Sequence, residues 1–464
     1  MVLIYVMVVH MRNTRTKFLT SLSCFGALFT LVVSGCSSGA SSTSTSASSS
    51  ESSSASASAS AAPIVESKGP SSRVAVTYDG GVLVYDAKDM KLLQDIKKDG
   101  FLRLTPAGDN RHLVVADGNS YAFLDTGAWS VPHGDHSHYY TTTPTLSSLS
   151  LAADHTGHVI TDNGKSAAFA DGTGTFEVYS PSDLTVNKRT ASELKTQQVK
   201  LPAPHHGFAI PLPDGRYLVS VGDEKTRTGA AVVDAQGKTI TENKECPGVH
   251  GEAIAKDGVI TVGCTDGALI YRDGTFTKVN NPENPYSRSG NQAGSADSQY
   301  VLADYKTDKE AKLERPEKFA IIDTVAKKRT VYSLPQGVSY TFRSLGRGPQ
   351  GEALLLTTDG KLRIFDPATG SELGSVQLMD AWSESETWQD PRPALWVDGK
   401  TAYVSDPATK KLHAVNIADA KAPKTLVSVE LPQTPNELSG TSSSKPAPTQ
   451  DHGHGESHEG DHGH

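Results

Sequence analysis

Gly157-His158-Val159-Ile160, His206-Gly207-Phe208-Ala209 and His250-Gly251-Glu252-Ala253 are three versions of one phrase, each with a histidine beside a glycine opening a short run. A turn dipeptide follows in every version: Asn163-Gly164, Asp214-Gly215 and Asp257-Gly258. A second strand-like run comes next, over 166–170, 216–221 and 259–264. The steps between the histidines are 48 and 44 residues.

A period of about 40 to 50 residues, made of short strands and turn dipeptides, predicts an all-β chain folded as a β-propeller. Every blade of a propeller gives the same strand to one central channel, so residues at matching positions of successive blades converge. Three imidazoles gathered in that way make a metal site, whereas three scattered histidines do not. The spacing therefore nominates His158, His206 and His250 as ligands of one ion, with His205, His155 and Glu252 as candidates for a remaining position.

Outward from this stretch, residues 63–431 are strand-like runs broken by Asp-Gly, Gly-Gly and Pro-Asp signals. Runs at 73–78, 81–86 and 91–96 form a first blade, closed by 62–67 or by the C-terminal end; 101–104, 112–116 and 121–124 form a second. The histidine copies open blades three to five. Further groups near 299–334, 340–376 and 393–429 bring the count to eight blades, or seven if the first and last segments share one. Such a ring closes where the chain ends meet, and the runs at 91–96 and 425–429 are the expected place.

The flanks have a different composition. Arg12, Arg15 and Lys17 precede the apolar stretch 18–33, the n-region and h-region of a secretory signal. Val33-Ser34-Gly35-Cys36 resembles a lipobox, which assigns 1–35 to a lipoprotein signal peptide and Cys36 to lipidation, with an ordinary signal-peptidase site as the alternative. Residues 36–62 are almost wholly Ser, Ala and Thr, too polar and simple to bury a core, and read as a flexible stalk. The expected location is the outer face of the cytoplasmic membrane, held by the lipid anchor. Residues 432–464 read as a disordered tail carrying His452, His454, His458, His462 and His464 among Asp, Glu and Gly, a low-affinity metal collector.

Removing 1–35 takes away three positive charges and no negative ones, so the formal net charge moves from −8 to −11. So acidic a chain offers no basic patch to neutralise phosphates, which argues against nucleic acid as a partner. Beyond Cys24 in the signal and Cys36, only Cys246 and Cys264 remain. Outside the cytoplasm such a pair predicts a disulfide, thiolate ligation of zinc being the alternative.

A second histidine cluster, Pro132-His133-Gly134-Asp135-His136-Ser137-His138-Tyr139-Tyr140, stands just before the first copy of the phrase. Imidazoles at these spacings around a carboxylate can wrap an ion without fixed secondary structure, and the cluster reads as an insertion loop beside the channel. Neutral imidazole suits zinc, copper or nickel. With five methionines in the chain and none near either cluster, the soft ligands of a Cu(I) carrier are missing, which leaves zinc the expected metal.

His133-Gly134-Asp135-His136-Ser137-His138-Tyr139-Tyr140, Asp171-Gly172-Thr173-Gly174, His205-His206-Gly207 and Cys246-Pro247-Gly248-Val249-His250-Gly251-Glu252 occur in the order seen in the AztD family, which the chain resembles from residue 73 to about 430. Members are extracytoplasmic β-propeller zinc metallochaperones of zinc-uptake ABC transporters. The resemblance implies zinc at His158, His206 and His250, a mobile transfer role for His133, Asp135, His136 and His138, and an AztC-like solute-binding protein as recipient.

Two functions of different class suit these residues. The first is a carrier, with no enzymatic activity, that holds zinc and passes it on. The alternative is a zinc-dependent hydrolase with three protein ligands, an open position for water and Glu252 as general base. The matches to Gly-x-Ser-x-Gly (Gly35-Cys36-Ser37-Ser38-Gly39) and His-Glu-x-x-His (His458-Glu459-Gly460-Asp461-His462) fall in the lipobox stretch and the low-complexity tail, away from the strand-to-helix elbow and the helix those motifs need. There is no phosphate loop, so chemistry has no further support.

Overall fold

Alternation along each strand decides where the core lies. In Ser72–Tyr78, Val74 and Val76 pack with Tyr403, Leu412 and Ala414, whereas Ala75 between them packs with Leu104, Leu113 and Val115. Successive side chains of a strand point to opposite faces, so a strand apolar at every position serves two neighbouring sheets at once. The pattern repeats around the chain, and each adjacent pair of sheets shares its own apolar cluster. This is the nearest-neighbour packing of a propeller.

A computed structural model describes residues 62–280 and 284–444. Among them are eight four-stranded antiparallel sheets, which are the eight blades. The innermost strands of blades 2 to 8 are Arg103–Pro106, Thr156–Asp162, Ala209–Pro211, Glu252–Ile254, Gln292–Ala293, Tyr340–Arg347 and Ala394–Asp398. The histidine copies open blades 3, 4 and 5, as the repeat predicts. The lipobox, the stalk up to residue 61 and the histidines of the tail lie outside the described residues.

Blade 1 is closed from the far end of the chain. Leu438–Ser442 pairs antiparallel with Ser72–Tyr78, from Ser72 against Ser442 to Val76 against Leu438, and takes the innermost place. The propeller therefore continues past residue 431, and the tail expected from 432 has to give up these residues. The runs expected at the closure, Leu92–Lys97 and Lys424–Glu430, are instead the outermost strands of blades 1 and 8. The physical reason is exposure: both are largely open to solvent, whereas Leu438–Gly440 is buried between neighbours. Val65–Ser67, the other candidate closing segment, pairs with His136–Thr141.

Blade 2 carries an insertion between its third strand, Ser120–Asp125, and its fourth, Thr145–Ala152. The insertion is a β-hairpin of Ala128–His133 and His136–Thr141 with Gly134 and Asp135 at the turn. Glycine at φ +60° meets the left-handed geometry that two-residue hairpin turns require. In an antiparallel four-stranded blade the links after the first and third strands leave on one side, and the link into the next blade leaves on the other. The hairpin thus emerges at the mouth where the inner strands end, opposite to the residues that lead into those strands. A hydrogen bond of 2.7 Å between Thr126, at the hairpin root, and Thr441, near the end of the closing strand, is in keeping with that position.

Candidate metal centre

Each histidine of the repeated phrase sits where an inner strand begins. His158 is the third residue of its strand, His206 stands three residues before Ala209, and His250 two before Glu252. The glycines beside them allow the backbone to come close. At Gly207 a Cβ would lie 2.5 Å from Ser220 Oγ and 2.7 Å from the Phe169 ring, and Gly251 has φ +73° with the Gly290 carbonyl 2.3 Å from where a Cβ would stand.

The three imidazoles meet. Their ring centroids are 5.3, 5.7 and 5.1 Å apart, and one ligand atom from each lies within 4.8 Å of the other two. His206 Nε2 is 3.2 Å from His250 Nε2. Two nitrogens bound tetrahedrally at 2.0 to 2.1 Å would stand about 3.3 Å apart, so this separation is already that of neighbouring zinc ligands.

Every Nδ1 has its own partner. His158 Nδ1 is 3.0 Å from Glu252 Oε1, His206 Nδ1 is 2.6 Å from Asp171 Oδ2, and His250 Nδ1 donates to the Gly290 carbonyl at 2.5 Å. A carbonyl only accepts, so the Nε2 of a neutral His250 carries its lone pair toward His206. With two such lone pairs facing each other, a proton or a metal ion has to lie between them. Outer acceptors that fix the tautomer and aim the free nitrogen are the usual support of metal-binding histidine.

Charge around the site is uneven. Burial lowers the His250 pKa well below the ordinary imidazole value, helped by the neighbouring charge of His158 and His206. For His158 burial also pulls downward, but the charge and hydrogen bond of Glu252 outweigh it and the value is raised. Glu252 Oε2 is buried without a hydrogen-bond partner among the described residues.

The candidates for a remaining position do not join the group. His205 is buried, with Nδ1 on the Ala203 carbonyl at 3.0 Å and Nε2 on Ser220 Oγ at 2.9 Å, so both nitrogens are occupied by the fold. The His155 side chain is 81% exposed and turns to Asp154 at 2.8 Å. Glu252 stands behind His158 and orients it. Asp171, from the turn between the second and third strands of blade 3, was not a sequence candidate, yet it holds His206 through Oδ2 and accepts the Gly207 amide through Oδ1 at 3.3 Å. Its signal was the Asp171-Gly172-Thr173-Gly174 turn, one of the segments that carry the AztD resemblance, in which an aspartate is explained by turn chemistry and gives no reason of its own to place it beside a histidine.

Cys246 and Cys264 are joined by a disulfide. The bridge ties the segment leading to His250 onto the end of Ile260–Cys264 in blade 5.

His133, His136 and His138 form a second convergence, with centroids 5.1 to 5.3 Å apart and ligand atoms within 4.8 Å of one another. The expectation of an irregular loop needs correcting. His133 pairs directly with His136 across the hairpin, and His138 is two residues on, so the strands' alternation puts all three on one face. His133 Nδ1 is 3.1 Å from His138 Nε2, and His138 Nδ1 is 2.7 Å from Glu66 of Val65–Ser67. Asp135 is fully exposed at the turn, 3.1 Å from His136. Below the histidines, Trp129 stacks on Tyr140 at 5.6 Å, Arg111 lies over Trp129 and Lys188 over Tyr140. The hairpin is rooted by aromatic and cation contacts and carries its imidazoles at an exposed tip, at the opposite mouth from the first site.

No family model matches the chain. It is 26% identical over 395 residues to the zinc chaperone AztD of Citrobacter koseri, covering 82% of this chain and 89% of that protein. The crystal structure of Citrobacter koseri AztD superposes with a TM-score of 0.68 at 24% identity, over 81% of this chain and 98% of the other, and the apo structure with 0.68 at 23%, over 82% and 98%. The fold is therefore shared with AztD, and the resemblance read from the sequence holds: this chain is similar to AztD along most of its length and folds as AztD does.

Proposed function

We propose that this protein is a zinc metallochaperone of the cell envelope, exported as a lipoprotein anchored through Cys36, which holds zinc at His158, His206 and His250 and passes it to the solute-binding protein of a zinc ABC importer. The observation that carries the reading is the set of three Nδ1 acceptors, Glu252, Asp171 and the Gly290 carbonyl, which leave three Nε2 atoms free to share one ion. That set matches the chemistry of zinc, and the similar protein of Citrobacter koseri is named a zinc chaperone. The disulfide fits a compartment outside the reducing cytoplasm.

The hydrolase reading loses its general base. Glu252 is committed through Oε1 to His158 Nδ1, the place of a carboxylate that orients a ligand. A carrier that performs no chemistry suits the site better. Zinc-loaded protein mixed with an apo solute-binding protein of a zinc importer, separated and assayed for metal, should show zinc moving to the recipient at a rate faster than its release to a chelator. Transfer no faster than free release would leave a zinc-binding protein without chaperone function.

A further inference from the structure

The mouth that gathers the three histidines is also rich in fixed positive charge. A cavity of about 530 Å³ holds His158, His206, His250 and Glu252, and its wall continues through Arg103, Lys306, Phe342 and Trp388. Arg103 begins the inner strand of blade 2, and its Nε is 3.4 Å from Glu437, a carboxylate that pairs more closely, at 2.8 Å, with Arg343. The Arg103 charge is thus only partly answered, and its side chain is 48% exposed. Lys306 follows the second strand of blade 6, and among the described residues its ammonium makes no hydrogen bond or salt bridge, acting on Glu384 only at longer range. The two carboxylates nearest the imidazoles, Glu252 and Asp171, are each already tied to a histidine. Their two charges can balance a divalent ion through the imidazoles they hold, which leaves the Lys306 charge and part of the Arg103 charge without an anion of their own.

The geometry points to an anion subsite in this mouth: we propose that Arg103 and Lys306 hold a small carboxylate against the metal position, with Phe342 and Trp388 taking its hydrocarbon part. Three histidines leave one place of a tetrahedral zinc shell open, and a carboxylate can offer one oxygen to the metal and the other to a guanidinium. Trp388, 53% exposed and edge-on to Phe101 at 5.0 Å, supplies an apolar wall that a bare ion would not need. The carboxylate stabilises the loaded state, and its departure opens the shell for a recipient's ligand. The metal half of this proposal rests on the zinc reading, whereas the anion half stands on the cations alone.

The test is calorimetric titration of the zinc-free and the zinc-loaded protein with succinate, a weak chelator, alongside Lys306→Gln and the Arg103→Gln/Lys306→Gln pair. Succinate is expected to bind the loaded wild type and to tighten zinc by about tenfold, with the same factor appearing in the reverse titration, as linkage demands. Lys306→Gln, which removes no contact of the fold, should weaken succinate, and the double variant should weaken it by about tenfold or more while still binding zinc in its absence. Succinate binding that is absent, or unchanged in the double variant, overturns the proposal and leaves the zinc reading standing. Succinate binding that depends on Arg103 and Lys306 in a protein without tight zinc keeps the anion subsite and removes the zinc reading instead.

Discussion

At the scale of single residues, the proposed zinc site would depend on atoms that never touch the metal. Glu252→Gln and Asp171→Asn keep shape but lose the charge that fixes His158 and His206, and each should weaken zinc by about 10- to 100-fold with the fold intact. A competition titration with a chromophoric chelator measures it, and unchanged affinity would show that the carboxylates are mere neighbours. Protons act on the same rings. The folded-state pKa values of His205, His250 and His413 lie below the ordinary 6.5, in each case chiefly through burial. Such a group is neutral when folded but takes a proton when unfolded, so its contribution is complete above about pH 6.5 and is lost as pH falls below it. His158 has the opposite sign: with its pKa raised, its contribution is full at acid pH and fades as pH climbs through the folded value. With three groups against one, the zinc-free protein should melt at a lower temperature at about pH 5.5 than at about pH 7.5, and a calorimetric midpoint that rises toward acid would contradict the assignment.

At the scale of elements, how much could be read depended on where a residue's neighbours come from. The three histidines were legible because they recur at one register of successive blades, and ring geometry then does the rest. Asp171 was not, since its link to His206 crosses from a turn of blade 3 to the lead-in of blade 4, a contact set by blade curvature and by no local pattern. In sequence the hairpin reads as a loop because its apolar side is thin: Trp129 and Tyr140 stack beneath polar residues, and only the pairing of His133 with His136 reveals the strands. Its place at the opposite mouth sharpens one expectation. Replacing His133, His136 and His138 together by alanine should leave the tight zinc of the other mouth untouched, yet slow delivery to the recipient protein. Loss of the tight zinc would bring the hairpin into the same shell against the topology, and an unaltered transfer rate would make it a bystander.

For the whole molecule, repeat length and turn signals gave the propeller and a count of eight blades with seven left open, but not the strand that locks it. Leu438-Ser439-Gly440-Thr441-Ser442 has little of the apolar, β-branched character of a strand, and it is buried only because a ring needs something innermost in blade 1. Two truncations separate its role from that of the tail. Ending the chain after Ser444 should leave the melting temperature within about a degree of the full-length value. Ending it after Leu431 strips the inner strand from Ser72–Tyr78 and should lower stability by several kcal/mol or abolish cooperative unfolding. If both truncations melt alike, the closing strand is dispensable.

That strand also sets an order in time. Ser72 pairs with Ser442, 370 positions later, so a chain emerging from its N-terminus makes three strands of blade 1 long before the fourth exists. The entropic cost of so distant a pairing grows only slowly with separation, and the delay appears in the rate far more than in the final stability. Until the last residues arrive, the Ser72–Tyr78 strand offers unpaired amides and carbonyls to any passing chain. A copy that ends before the closing strand keeps that edge open for good, and a protease can tell it from a finished molecule by its open seam.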